Sequence, residues 1–448
     1  MSVQAVTTKI ISTLGNKESL IPIMVKDGVD SAALTYKSFK EGGKVEGVDR
    51  AIDEFGTQAI WIGGIPFYKK LIDWTAYKIA KINPDVDPRI IANGEYAQWA
   101  VDNAKGIMSN NKKQTVKKAI SDCLIDGGNK AKNLYKGKII AATALTLGTF
   151  FLLTKTKQKN TKNTVVNDMK KQVLSNDVTF KGTTPKVFEE FDKFNNSTKN
   201  IPSFKGKMSI KALSDAIMFN PVHNMKIIDA GITTERLACS RNKTEFMEHA
   251  IKEGSFLFFL YKFGGMIEDG INKLAANKFK MPIDLSIDVL MDENLSKALK
   301  KGNIASDISK APLLSGLTEK LDFIVNNPDN ILVQAAKKAK IVSTVKDEAG
   351  NFVVDTSKYI DMDAFKQLAD DLKNIDDKFQ VSGSDVKNFI KKTQWLKVGS
   401  VMANIGISCL ILGYLIPKAV YKYREYKTGT TKFHVEEDIK NNNKKDLI

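Results

Sequence analysis

The sequence predicts a mainly α-helical, membrane-anchored protein with an internal duplication. The first observation is an uncharged apolar run of 19 residues, 398–416, which follows Lys397 and precedes Pro417-Lys418. As a helix it would extend roughly 28 Å, close to the ~30 Å of bilayer hydrocarbon. Buried helices of water-soluble cores are usually shorter. We therefore interpret residues 398–416 as a transmembrane helix.

The second observation is another apolar run, residues 139–154, which holds 16 residues between lysine-rich flanks. A helix of this length spans roughly 24 Å, and flanking lysines can lengthen it by extending their charged ends towards the headgroups. We predict a second membrane helix here. A buried core helix is the alternative.

The third observation is that motifs recur in the same order. Ala51-Ile52-Asp53-Glu54 is followed much later by Ala250-Ile251-Lys252-Glu253, and Gly28-Val29 by Gly231-Ile232. A double glycine within an apolar stretch also occurs twice, at Gly63-Gly64 and Gly264-Gly265, and each half ends in a long apolar helix. Each match is weak alone, but their shared order predicts a duplicated helical unit.

The pattern predicts the following organisation: a first helical unit, 1–158, with its membrane helix at 139–154; a polar Lys/Asn-rich linker, 159–207; a second unit, 208–427, with an insertion at 292–381 and a membrane helix at 398–416; and a disordered tail, 428–448. Within the insertion, the sequence IVSTV-KDEAGN-FVVDT predicts a small β-hairpin.

The charge balance favours lipid over nucleic acid. The net charge is +17, and only five of the 68 basic residues are arginine. Because bidentate recognition of bases and phosphates relies on arginine, no specific nucleic-acid partner is expected. Cations that flank the two apolar runs are predicted to bind anionic lipid headgroups. They are Lys136, Lys138, Lys155, Lys157, Lys397, Lys418, Lys422 and Arg424.

Small residues in the two membrane helices predict helix–helix contact. Spacings of four and seven residues place them on one stripe, where backbones can approach closely. The predicted seam residues are Ala141, Ala144, Gly148, Gly399, Ala403, Gly406 and Gly413. They would pack within the chain or between copies in a homo-oligomer.

The sequence leaves the number of membrane crossings open. With one crossing in each half, the two units would be inverted, as in inverted-repeat transporters. If the Gly63-Gly64 and Gly264-Gly265 stretches also insert, both soluble parts face the same side. The common lysine-rich character of the flanks mildly favours this same-side arrangement.

No catalytic, metal-binding or cofactor-binding motif is readable, so we expect a protein that is not an enzyme and holds no cofactor. The leading interpretation is an integral membrane scaffold or membrane-remodelling protein whose soluble parts are cytoplasmic. The alternative is a small-solute or ion transport unit built from the repeat. The absence of ionisable residues from the two predicted membrane helices disfavours that alternative.

Overall fold

The structure, a computed structural model, is mainly helical, as predicted. It describes residues 20–104, 114–176, 221–278, 281, 283–313, 315–347 and 349–445, together with residues 10, 13 and 14. Part of the predicted linker, residues 177–207, lies outside the described residues.

The helices of the first half, in chain order, are α1 (Ile21–Lys37), α2 (Lys44–Ala59), α3 (Ile65–Ile72), α4 (Lys78–Ala80), α5 (Pro88–Ala92), α6 (Gly94–Asp102), α7 (Val116–Leu124) and α8 (Asn129–Asn176). The later helices are α9 (Pro221–Ala238), α10 (Lys243–Phe258), α11 (Gly264–Lys278), α12 (Ile287–Leu290), α13 (Glu293–Lys301), α14 (Ile304–Ser309), α15 (Leu317–Asn326), α16 (Ile331–Lys338), α17 (Met362–Ser382), α18 (Val386–Leu410), α19 (Ile416–Thr428) and α20 (His434–Lys445).

The predicted hairpin is confirmed. Strands β1 (Thr344–Lys346) and β2 (Phe352–Val354) pair antiparallel, with Val345 opposite Val353. Gly350 lies in the turn with φ +84°, a left-handed conformation that glycine adopts without steric cost.

Six rods form a long bundle: α1, α2–α3, α8, α9, α10–α11 and α18–α19. Three of the rods continue through π-helical turns at Ile60–Gly64, Phe259–Phe263 and Ile411–Leu415. The double glycine at 63–64 therefore does not interrupt the helix in which it lies. It lies in a π-helical turn, where Gly63 has open space around it.

In each half, the rod that carries the double glycine runs antiparallel to the long apolar helix. In the first half, Tyr68 Oη lies 2.6 Å from Thr149 Oγ1, and Asp53 ion-pairs with Lys157 at 3.3 Å. In the second half, Glu268 ion-pairs with Lys397, whereas Glu248 contacts Arg424 further along. Each half is thus a helical hairpin whose two arms lie at the same level.

One end of the bundle is a helical domain built by both halves. A single apolar core joins residues between Tyr77 and Ala131 to residues between Met281 and Ile390. Polar contacts cross the same boundary, since Trp99 Nε1 donates to Asp322 Oδ1 at 2.7 Å. These two segments, which are distant in the chain, therefore share one core.

The middle of the bundle is an apolar belt. The two helices that are long and apolar enough to cross a membrane lie within Val116–Lys171 and Val386–Thr428, and only 33% and 28% of their apolar windows are buried. Large apolar side chains of several rods face outwards at this level: Ile62, Phe67, Ile140, Leu145, Leu152, Phe258, Met402, Ile407 and Leu410.

Two segments that were expected to be irregular are helical where the structure describes them. Helix α8 extends to Asn176, into the segment predicted as a polar linker. Helix α20 occupies 434–445 of the tail predicted to be disordered, and its first turn is anchored by Val435, which is 2% exposed. Tertiary packing, which a polar composition does not reveal, stabilises this first turn.

Candidate functional site

The end of the bundle opposite the helical domain contains a buried array of charges, which we call the charged seam. Helix α2 contributes Glu46, Asp49 and Asp53, and helix α10 contributes Glu245 and Glu248. Spacings of three and four residues place these carboxylates on one face of each helix. None is more than 3% exposed. The two acidic faces are joined by cations that lie between them.

Arg424 of α19 joins α2 to α10 directly. Its Nη1 and Nη2 donate to Glu46 at 2.6 and 2.7 Å, and its Nε and Nη2 donate to Glu248 at 2.7 and 2.8 Å. A planar guanidinium can form such paired bonds with two carboxylates, whereas an ammonium cannot. Arg424 is therefore a clamp between the halves.

Two arginines from the second half repeat this arrangement. Arg241 donates to Asp49 at 3.1 and 3.2 Å and also to Glu245. Arg236 of α9 donates to Glu253, lies 3.6 Å from Asp53 and donates to Thr57 at 3.0 Å. Each cation is thus shared between one carboxylate from α2 and one from α10.

Lysines complete the seam. Lys157 of α8 lies 3.3 Å from Asp53. Lys252 Nζ lies 2.5 Å from Glu54 and 3.3 Å from Glu253. Both lysines are at most 4% exposed. Removing one partner of such a buried set leaves an uncompensated charge, which typically costs about 3–5 kcal/mol.

The seam perturbs the titration of its members. Burial alone would raise the pKa of Asp49, but Lys157 and Arg241 hold this pKa below its usual value. Burial opposes ionisation of Glu248 in the same way, and hydrogen bonds from Arg424 lower its pKa. These carboxylates are therefore ionised at neutral pH.

Two histidines border the seam in neutral form. Burial lowers the pKa of His249, which lies 3.8 Å from Glu245, and that of His434, which lies 3.7 Å from Glu248. Within the described chain, neither ring nitrogen of His434 has a hydrogen-bond partner. His434 belongs to α20, so the C-terminal helix covers the seam.

A small cavity lies between the two halves, on the side of the charged seam that faces the apolar belt. Its volume is about 30 Å³, enough to hold a water molecule. The charged lining residues are Asp27, Glu54, Asp229, Arg236, Lys252 and Glu253. In the described part of the chain, no three His, Cys, Asp or Glu side chains are arranged to hold a metal ion.

The predicted headgroup cations divide into two groups. Lys155, Lys418 and Lys422 are exposed, and Lys136 and Lys138 are half-buried, with Lys138 paired to Asp73. Lys157, Lys397 and Arg424 differ from the expectation, since each is at most 4% exposed and lies in an ion pair. These three side chains are therefore turned away from any lipid surface.

The predicted small-residue seam does not join the two apolar helices. Gly413 packs within the chain, because a Cβ there would lie 3.0 Å from Val29 Cγ1 and 3.5 Å from Ala33 Cβ. Ala403 is half-buried, whereas the other members of the seam face outwards: Ala141, Ala144, Gly148, Gly399 and Gly406. The two small-residue stripes thus do not contact each other within the chain. Gly413 instead contacts α1.

The charged seam was missed at the sequence level, although one signal was present. Four of the five arginines lie in it, namely Arg50, Arg236, Arg241 and Arg424. An arginine in a chain that otherwise uses lysine marks a position where bidentate geometry matters.

Comparison with known proteins identifies no relative. No family model, curated protein or solved structure matches the chain.

Proposed function

We propose that this protein is a non-enzymatic integral membrane scaffold, in which a rigid helical bundle crosses a bilayer and carries a helical domain on one side. The observation that carries the proposal is the apolar belt, in which no more than a third of the apolar window of each of the two longest apolar helices is buried. Monomeric proteins in water rarely expose apolar patches of more than a few hundred Å². Lipid hydrocarbon is a solvent that covers such a surface on every side.

The hairpin geometry supports the same-side arrangement. The double-glycine rods lie beside the long apolar helices and antiparallel to them, so each hairpin crosses the belt twice. Both hairpins then return to the charged end after building the helical domain. In this proposal the segments of the two halves that form the domain face one compartment, and the charged seam faces the other.

An internal duplication is supported by a constant register. Helix α10 begins at Lys243, 199 residues after α2 begins at Lys44, and the π-helical turns at Ile60–Gly64 and Phe259–Phe263 have the same separation. This register pairs Asp30 with Asp229 rather than Gly28 with Gly231. Contacts also repeat, since the first helix of each half packs against the long apolar rod of the other half, α1 on α18–α19 and α9 on α8.

The two halves are joined at both ends of the bundle, which favours a scaffold over a transporter whose halves move against each other. The charged seam joins the halves at one end, and the shared apolar core joins them at the other. Rocking of one half against the other would break buried ion pairs at the first end or open a core at the second.

Exposed lysines, such as Lys155, Lys418 and Lys422, supply the contacts with anionic headgroups.

Flotation with liposomes tests this proposal. Purified protein should float with liposomes and resist alkaline extraction, and replacing Lys155, Lys418 and Lys422 by Gln should weaken recruitment to anionic vesicles at low salt. The matched control replaces three exposed lysines of the helical domain, Lys117, Lys118 and Lys297. If the fraction of protein recruited to vesicles changes neither with anionic lipid content nor with salt concentration, the proposed headgroup contacts are contradicted.

A second candidate, a small-solute or ion transport unit, is favoured by the charged cavity. The apolar runs 139–154 and 398–416 carry no charged residue, but α1, α9 and α10 bring Asp27, Asp229 and Lys252 to the interface between the halves. Transporters built from repeats place their sites at such interfaces. Uptake of a tracer ion by proteoliposomes, abolished by Lys252→Met, would favour this candidate over the scaffold.

A further inference from the structure

Asp30 is the carboxyl group that the charged seam leaves without a partner. It lies on α1, is 1% exposed, and accepts no hydrogen bond at either oxygen from the described residues. The nearby Val29 and Ala33 pack on Gly413, which places Asp30 at the level of the apolar belt. A bare ionised carboxylate at such a position costs many kcal/mol, so a group of this kind neutralises instead.

The neighbouring charges favour the neutral form as well. The charged groups that act on Asp30 are Lys252 and Glu253 from α10, Glu54 from α2 and Asp27 from its own helix. Lys252, the only cation among these four groups, is already bound to Glu54 and Glu253. On the other side of α1, the rod segment 398–416 carries no charge. Three carboxylates thus repel a negative charge on Asp30, and Lys252, the cation among these groups, is shared with Glu54 and Glu253.

We propose that Asp30 is a proton-binding site, held as a neutral carboxylic acid beside the cavity between the two halves. The ligand is an exchangeable proton, and the groups that set its affinity are Glu54, Lys252 and Glu253. All three of these groups line the cavity, as does Asp27 from the same helix as Asp30. The site does not depend on the scaffold role.

Asp53 provides a matched comparison. It is also an aspartate on a bundle helix and is 1% exposed, but Arg236 and Lys157 lie 3.6 and 3.3 Å from its oxygens. An Asn substitution is isosteric at both positions. At Asp30 it replaces one neutral group by another, whereas at Asp53 it removes a charge that pairs with three cations, Lys157, Arg236 and Arg50.

The experiment is infrared spectroscopy of the full chain in lipid or detergent at neutral pH. The wild-type protein should show the C=O stretching band of a protonated carboxylic acid, and this band should shift in D₂O. Asp30→Asn should lose intensity in this band while unfolding at the wild-type temperature. Asp53→Asn should keep the band and unfold at a lower temperature.

Two results would overturn the proposal. The first is a wild-type spectrum that coincides with that of Asp30→Asn in the carboxylic acid region, which would mean that Asp30 is ionised or that the proton resides elsewhere. The second is failure of Asp30→Asn to fold, because an isosteric neutral side chain should be tolerated wherever the native group is neutral.

Discussion

Glu46 and Arg424, which are 378 residues apart in the chain, are joined by hydrogen bonds of 2.6 and 2.7 Å between side chains that are both fully buried. The bonds connect an early helix of the bundle to its last long rod. Because Arg424 also donates to Glu248, separating the two halves at this end would break the hydrogen bonds that join three buried charged side chains.

Replacing Arg424 by Met should lower the free energy of unfolding by about 3–5 kcal/mol, since Glu46 and Glu248 would remain buried without their cation. Denaturant unfolding in a mild detergent measures the change. Lys427→Met, on the same helix and exposed, is the control and should be neutral. Equal stability of the two variants would show that the clamp does not hold the halves together.

The stability of the seam should fall when the pH drops below about 6.5, the ordinary pKa of histidine. Burial lowers the pKa of His249 and His434, so the folded chain binds fewer protons than the unfolded chain in this range. The two histidines therefore contribute stability that is present above pH ~6.5 and is lost as the pH falls, before most carboxylates titrate near pH ~4. A carboxyl group that is neutral in the folded chain, as proposed for Asp30, acts in the opposite direction.

The melting temperature, measured between pH 8 and pH 5, checks this dependence. Replacing both His249 and His434 by Gln should flatten the curve in that interval and leave the steeper loss at lower pH, where Asp49 and Glu248 take up protons. A double variant that keeps the full wild-type slope would assign the effect to other groups.

Gly413 and Gly406 should respond differently to enlargement. A Cβ at Gly413 meets Val29 at 3.0 Å, whereas nothing lies within 4 Å of a Cβ at Gly406. Gly413→Leu should therefore lower stability by about 1–3 kcal/mol through overpacking, and Gly406→Leu should be neutral. Thermal unfolding of the two variants compares them directly, and a destabilised Gly406→Leu chain would contradict the outward position of this glycine.

The outward glycines also test self-association. If Gly399 and Gly406 form a contact between copies, Gly406→Leu should reduce cross-linking of the protein in lipid without changing its melting temperature. An unchanged cross-linking yield would mean that this stripe faces lipid.

Labelling of single cysteines tests the topology. In a chain that lacks Cys123, Cys239 and Cys409, the exposed positions Lys118→Cys and Glu293→Cys should react from one side of sealed vesicles, because both lie in the helical domain. Lys159→Cys, at the charged end, should react only from the other side. Labelling of positions 118 and 293 from opposite sides would instead indicate an inverted repeat.

Helix positions and the hairpin were predictable because they depend on local patterns. The apolar run at 398–416 and the turn at Gly350 need only neighbouring residues for their recognition. The seam could not be predicted in this way. The acidic spacing of Glu46, Asp49 and Asp53 is also that of a solvated helix face. Apart from Arg50 on the same helix, the cations that bury it come from segments at least a hundred residues away. Only the unusual arginines pointed to it.

The central claim is that lipid surrounds the apolar belt. The connection between α8 and α9 bears on this claim directly. Helix α8 ends beyond the charged seam. Helix α9 begins within the apolar belt, on the side towards the helical domain, where Met225 packs in one cluster with Trp61 and Ile65. The connecting residues, 177–220, contain no uncharged run longer than five residues. Such a segment is easily placed in water and poorly placed in hydrocarbon. A water-soluble oligomer whose copies cover each other's belts is therefore the competing account.

The most direct measurement places nitroxide labels at Leu152→Cys and Leu410→Cys, which are 65% and 59% exposed, in the cysteine-free chain reconstituted in lipid. Relaxation enhancement compares oxygen, which concentrates in hydrocarbon, with a water-soluble nickel complex. Our account predicts that both labels respond strongly to oxygen and weakly to nickel, with Lys159→Cys showing the reverse. Labels at Leu152 and Leu410 that respond to nickel, or to neither reagent because another copy covers them, would contradict it.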